Sequence, residues 1–210
     1  MRFDLSLYVI TDSRVARKRP TDEIVAAAIR GGATMIQLRE KGWAARDLME
    51  MGRRLLAITR PSGVALVVND RVDVALAIDA DGVHVGQDDI PVPVARRLLG
   101  PDKIVGTSAG TVEEAKQAEL DGADYVGVGS IFATTSKPDA GDAIGPAALR
   151  RVREAIHIPI VAIGGLSSSN AGEAIGAGAQ GVAVISSVVG ADDVASAARL
   201  LAEVVRTAKG

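Results

Sequence analysis

The 210-residue sequence contains no cysteine, which removes disulfides, thiolate nucleophiles and zinc–thiolate centres together. Aromatic residues make up only 2% of the chain against 48% apolar residues, so the core has to be aliphatic. Net charge is −2, leaving neither a basic surface for nucleic acid nor an acidic solvating arm. No run approaches the roughly 20 apolar residues of a membrane span. The opening "MRFDLSLYVITDSR" carries acidic and polar residues too early for a signal peptide. These absences predict a soluble cytoplasmic protein without nucleic-acid or membrane partners. Its length suits one domain, residues 1–210, with a substantial core. Oligomeric state is left open, a homo-oligomer being compatible with the sequence.

What is present is a repeated unit. Short β-branched runs occur at 7–11 (LYVIT), 34–40 (TMIQLRE), 65–70 (ALVVND) and 81–86 (DGVHVG). Four more follow at 103–108 (KIVGTS), 124–130 (DYVGVGS), 158–165 (IPIVAIGG) and 180–186 (QGVAVIS). They are almost continuously apolar, as strands buried on both faces should be. Helix-spaced stretches lie between them. One of these, 111–122, opens with the capping-box pair Thr111 and Glu114 and stops at Gly122. The segments RGGATMIQL, LDGADYVGV and AGAQGVAVI repeat a passage from helix end to strand. Eight such units predict a single parallel (β/α)₈ TIM barrel. An open doubly wound sheet is the rival, but no Gly-x-Gly-x-x-Gly follows the first strand.

A barrel of this kind works at the C-terminal ends of its strands, so each strand end is a place to look for chemistry. Strand two ends in QLREKG, and alternation directs Gln37, Arg39 and Lys41 the same way. An amide, a guanidinium and an ammonium suit phosphate or pyrophosphate. Strand three ends at Asn69 and Asp70, and strand four leads to Asp88 and Asp89. Each pair has an ordinary reading as a helix cap or turn. Together, two carboxylates beside two cations fit Mg²⁺ held by carboxylates and substrate oxygens. Strand five offers the Ser108 hydroxyl.

After strand six comes a long polar loop, SIFATTSKPDAGDAIG at 130–145, with Thr134, Thr135, Ser136 and Lys137. Loops of this length in compact domains are usually functional or disordered, and this one lies above the barrel mouth. Strands seven and eight end in small residues, among them Gly164, Gly165, Ile185 and Ser186. Backbone N–H groups there are suited to a second phosphate. The two histidines offer little: His157 precedes strand seven at the barrel bottom, and His84 reads as a packed or pocket-lining residue. No Ser–His pairing is evident. The remaining inventory is positioning and electrostatics, which fits departure of a pyrophosphate and attack by a second phosphorylated substrate.

The segments QLREK, VVNDRVDVALAIDADGVHVGQDD, DGADYVGVGSIFATTSKPD, IVAIGG and VAVIS, in this order, resemble the thiamine-phosphate synthase family. The resemblance implies condensation of a hydroxymethylpyrimidine pyrophosphate with hydroxyethylthiazole phosphate, by a dissociative route, to thiamine monophosphate and pyrophosphate. It implies that Gln37, Arg39, Lys41, Asn69, Ser108 and Lys137 bind the pyrimidine pyrophosphate, with Arg39, Lys41, Ser108 and Lys137 catalytic. Asp70 and Asp89 would hold Mg²⁺, Thr134, Thr135 and Ser136 would border the thiazole substrate, and Gly165, Ile185 and Ser186 would hold its phosphate. The chain departs from the family where His is frequent (Gly110) and where Pro is frequent (Ser130, Ala133). Alternatives are a thiazole tautomerase, which needs neither Mg²⁺ nor pyrophosphate, and a non-catalytic regulator that binds the same ligands.

Overall fold

The computed structural model describes residues 3–134 and 142–210; Thr135, Ser136 and Lys137 of the long loop lie outside the described residues. Eight parallel strands close into a barrel in chain order. They are β1 (Leu7–Ile10), β2 (Met35–Leu38), β3 (Ala65–Asn69), β4 (Gly82–Val85), β5 (Ile104–Ala109), β6 (Tyr125–Val128), β7 (Ile160–Ile163) and β8 (Gly181–Val184). The predicted TIM barrel is therefore what the chain forms. Seven strands fall inside their apolar runs, trimmed by one to four residues in all, and β5 extends one residue past its run to Ala109.

Alternation along these strands sorts the core into two populations. Val9, Ile36, Leu38, Leu66, Val68 and Val83 face outward into the layer between barrel and helices. Tyr8, Ile10, Met35, Val67, Tyr125 and Val161 fill the barrel interior. Burial on both faces is why the runs look continuously apolar in sequence. Truncating one outward residue, such as Leu66, would cost about 2–5 kcal/mol. The interior holds both tyrosines of the chain, with ring centroids 6.0 Å apart in an edge-on arrangement. Gly106 makes that packing feasible, since a Cβ there would lie 2.1 Å from the Tyr125 ring.

The helices that cover the barrel are amphipathic. Among them are α1 (Thr21–Arg30), α2 (Ala45–Thr59), α3 (Val72–Ile78), α4 (Val92–Leu99), α5 (Val112–Leu120) and α6 (Gly145–Ala155). After β7 and β8 come α7 (Ala171–Gly176), the four-residue α8 (Ser186–Val189) and α9 (Val194–Lys209). The predicted capping box is in place: Thr111 Oγ1 accepts from Glu114 N, and the Glu114 carboxylate accepts from Thr111 N. Helix α9 packs against both α1 and α7 and so closes the helical ring. No helix among the described residues is long and apolar enough to cross a membrane.

The long β6–α6 connection is tied down at both ends. Ile131 N and Phe132 N donate to Ile163 O and Gly164 O, at 2.9 and 3.0 Å. Returning, Ile144 N and Gly145 N donate to Ser130 O and Ile131 O, at 2.8 and 3.0 Å. The outgoing foot therefore stands on the end of β7, and the returning foot is tied to the outgoing one.

Candidate active site

At the C-terminal ends of the strands opens a cavity of about 840 Å³. Arg39, Lys41, Asn69, Asp70, Asp89 and Ser108 line one side, and Gly164, Gly165, Ile185, Ser186 and Ser187 line the other. Thr134 and Ala133, at the foot of the long loop, also reach it. Residues drawn from strands two to five thus face residues from strands seven and eight.

Arg39 follows the end of β2 and is only 3% exposed, yet borders the cavity. An isolated guanidinium so placed would lose several kcal/mol of hydration. Asp12, equally buried after β1, accepts from Arg39 Nη1 at 3.0 Å. Burial alone would push the Asp12 carboxyl up, but hydrogen bonds from Arg14 and the charges of Arg14 and Arg39 outweigh it. Its pKa consequently lies below the usual carboxylate range. Asp12 stays ionised and fixes one edge of the Arg39 fork.

Lys41 is half-exposed and reaches along the rim to Asp70 after the neighbouring strand, Nζ to Oδ2 3.0 Å. Asp70 sits in the left-handed region, φ 62°, which Asp and Asn tolerate better than most residues. Its N–H donates to His84 O at 2.8 Å, so the turn out of β3 is pinned to β4. Burial, and then the neighbouring Asp89 carboxylate, push the Asp70 carboxyl above its ordinary value, while Lys41 pulls the other way. Asp89 Oδ2 in turn accepts from Gly86 N at 2.8 Å. The two carboxylates are held near each other despite mutual repulsion. No group of three or more His, Asp or Glu side chains poised for a metal exists among the described residues. Two carboxylates with open space beside them are the donor set that Mg²⁺ uses when substrate phosphates complete its shell. Asp88 also lines the cavity but is exposed.

Gln37 differs in depth from the expectation. Alternation does send it inward with Arg39, but it lies one layer lower, 1% exposed, donating to Tyr8 Oη at 2.6 Å. It lines a small void beneath the main cavity rather than the cavity itself. A Ser–His contact that the sequence did not suggest is also present, with His84 Nε2 3.0 Å from Ser108 Oγ. His84 does line the cavity, whereas His157 is an exposed residue below β7, 3.7 Å from the Glu119 carboxylate.

The opposite end is built from backbone. Gly164 and Gly165 have φ of +95° and +63°. A Cβ on Gly165 would lie 2.5 Å from Ala133 O and 2.8 Å from the Phe132 backbone, so only glycine lets the chain pass. Asn170 Nδ2 donates to Gly165 O at 2.9 Å, and Asn170 Oδ1 accepts from Ser167 N at 2.8 Å. That clamp fixes the peptide planes facing the cavity. Ile185 opens α8, whose first-turn N–H groups project from the helix end. Ser187 Oγ is buried at this end with no hydrogen-bond partner among the described residues, a donor that an anion would satisfy.

Sequence reasoning missed Asp12, Ser187 and the Tyr8–Tyr125 pair. Asp12 carried a usable signal, since it stands directly after the first apolar run. The tyrosines carried none, because a lone aromatic within an apolar run reads as packing.

Residues 7–188 match the family model described as "Thiamine monophosphate synthase". The thiamine-phosphate synthase of Moorella thermoacetica is 59% identical over 204 residues, covering 97% of each chain. That of Chloroflexus aurantiacus is 56% identical over 202 residues, 96% of this chain and 93% of the other. The solved thiamine phosphate pyrophosphorylase from Pyrococcus furiosus superposes with a TM-score of 0.92 at 46% identity, over 100% and 99% of the two chains. A family match across the barrel, relatives above half identity and a near-coincident solved fold place this chain in the thiamine monophosphate synthase family.

Proposed function

We propose that the chain is an alkyl-transferring enzyme that joins 4-amino-2-methyl-5-hydroxymethylpyrimidine diphosphate to hydroxyethylthiazole phosphate. The products are thiamine monophosphate and pyrophosphate. The observation that carries the reading is one cavity with two unlike ends, cationic side chains lining one and glycine-rich backbone the other. Two phosphorylated substrates would then lie head to head with their reacting carbons and nitrogen between the ends.

Arg39, Lys41 and Asn69 bind the pyrophosphate, with Lys137 as a further cation. Asp70 and Asp89 would hold Mg²⁺, whose charge would offset that of the departing pyrophosphate. The bond from the pyrimidine methylene carbon to the pyrophosphate oxygen breaks with both electrons leaving on oxygen. The thiazole nitrogen lone pair then forms the new carbon–nitrogen bond. No residue of the chain becomes covalently attached; positioning and fixed charge lower the barrier. Gly165, Ile185 and Ser186 hold the thiazole phosphate, and Thr134, Thr135 and Ser136 border its ring. Gln37 contributes from beneath the pyrimidine rather than at the pyrophosphate. The whole chain serves as one catalytic domain.

The reading is tested by titrating the two ends separately. Pyrophosphate with Mg²⁺ and the thiazole phosphate should bind at the same time. Arg39→Met should weaken only the first, and Gly165→Ala only the second. Mutual exclusion of the two ligands would rule out the two-ended site.

A further inference from the structure

Four hydrogen bonds run in series from the barrel interior to the cavity. Gln37 Nε2 donates to Tyr8 Oη at 2.6 Å. Tyr8 Oη lies 3.0 Å from Tyr125 Oη, and Tyr125 Oη 2.9 Å from His84 Nδ1. His84 Nε2 lies 3.0 Å from Ser108 Oγ, which faces the cavity. Gln37, Tyr8, Tyr125 and His84 are all at most 8% exposed. Both tyrosines of the chain and one of its two histidines are committed to this one series.

Phenylalanine would fill the same interior without burying a hydroxyl, whose desolvation must be compensated by good partners. The phenols are therefore present for what they donate and accept. Burial pushes both tyrosine pKa values up, so each phenol brings one proton. With each phenol proton used within the series, the Gln37 end fixes the direction of every link. Tyr8 oxygen receives the Gln37 N–H, so its own proton goes to Tyr125. Tyr125 passes its proton to His84 Nδ1, which must be the bare nitrogen. The imidazole proton is then on Nε2 and is donated to Ser108 Oγ. Ser108 keeps its own hydrogen free to point into the cavity.

Resting on the assignment of the pyrophosphate to this end of the cavity, we propose that Gln37, Tyr8, Tyr125 and His84 form a one-way relay that orients Ser108. Its output is a Ser108 O–H donor aimed at the leaving pyrophosphate oxygen. His84 is a positioning residue, and the Gln37 amide at the far end sets the polarity. Were that amide reversed, every link would reverse with it. Ser108 would then give its proton to His84 Nε2 and face the substrate as an acceptor, the arrangement of a base-paired nucleophile. The relay thus selects between anion donor and nucleophile in one hydroxyl.

The experiment has two independent arms. In the first, histidine is labelled with ¹⁵N in the ligand-free full chain, and His157→Gln identifies the signals of the other ring. His84 should be the Nε2–H tautomer near neutral pH, with Nδ1 unprotonated and hydrogen-bonded. Tyr125→Phe, and separately Tyr8→Phe, should shift the ring toward a mixture of tautomers. An Nδ1–H tautomer in the unsubstituted protein would overturn the proposal, as would tautomers indifferent to both tyrosine variants. In the second arm, kcat/KM for the pyrimidine pyrophosphate should fall about 10-fold in Tyr125→Phe, as expected for one misdirected hydrogen bond to an anion. KM for the thiazole phosphate should be unchanged. In a Ser108→Ala background the same tyrosine change should have less than about a twofold effect, since the relay has lost its output. Equal losses in both backgrounds would mean that the tyrosine acts on packing, and would refute the relay. The tautomer arm needs no turnover, so failure of the reaction assignment and failure of the relay are separable.

Discussion

Replacing Asp70 by Asn separates the cost of the carboxylate from its use. Asn is chosen over Ala because residue 70 has φ 62°, a conformation that costs most L-residues about 1–2 kcal/mol but that Asn adopts readily. Burial and then the Asp89 carboxylate raise the Asp70 pKa in the folded chain. Below the unfolded value of about 3.9 both states are protonated and the charge costs nothing. As pH rises through the raised folded value, the folded state increasingly pays for an anion that the unfolded state solvates freely. At neutral pH the substitution should therefore stabilise the metal-free protein. Each pKa unit removed is worth about 1.4 kcal/mol, and loss of the half-exposed Lys41 partner takes back about 0–1 kcal/mol. Each kcal/mol of net gain raises Tm by about 2–4 °C for a chain of this size. The assay is thermal unfolding in EDTA at pH 7 and at pH 4, then with Mg²⁺ and pyrophosphate. The gain should vanish at pH 4. With ligands at about 100 times Kd, the natural protein should gain about 2.7 kcal/mol and the variant far less, and the variant should lose Mg²⁺-dependent turnover. A variant less stable than its parent in EDTA, or one that keeps Mg²⁺-dependent turnover, would refute the reasoning.

Three further outcomes are expected. Asp12→Ala leaves Arg39 buried without its counter-ion, so the urea midpoint should drop by the equivalent of about 3 kcal/mol, with m unchanged and kcat/KM for the pyrimidine pyrophosphate reduced. Gly165→Ala forces a Cβ into Ala133 O and the Phe132 backbone; calorimetry should show thiazole-phosphate affinity weakened by at least about 10-fold, a loss of one hydrogen bond or more. Thr111→Ala removes the capping box of α5, at a residue that does not line the cavity; it should cost about 1 kcal/mol of stability while kcat and both KM values stay constant.

The barrel was legible because its signal is local. Eight runs such as ALVV and IVAI are apolar on both faces, and no other common architecture needs eight of them in alternation with helices. The positions of Arg39, Lys41, Asn69, Asp70, Asp89 and Ser108 were legible for the same reason, since each stands at the end of a run or within three residues past it and strand ends share one rim. What escaped was depth and pairing. Gln37 and Arg39 share a direction, but only the strand's position in the barrel reveals that Gln37 lies a layer lower, under Tyr8. Tyr8 and Tyr125 stand 117 residues apart in sequence, and their contact depends on how β1 and β6 are staggered across the closed barrel. Asp12 is bound to Arg39 across neighbouring strand ends, a contact that needs the register of β1 and β2. Thr135, Ser136 and Lys137 fall outside the described residues, so their roles rest on the family resemblance alone.

The most direct test mixes the purified protein with the pyrimidine pyrophosphate and the thiazole phosphate, with Mg²⁺ or with EDTA, while thiamine monophosphate and released pyrophosphate are followed together. The account predicts equal amounts of the two products, formed with Mg²⁺ and suppressed by EDTA. Pyrophosphate release that is insensitive to EDTA, or binding of the thiazole phosphate with no thiamine monophosphate formed, would contradict it.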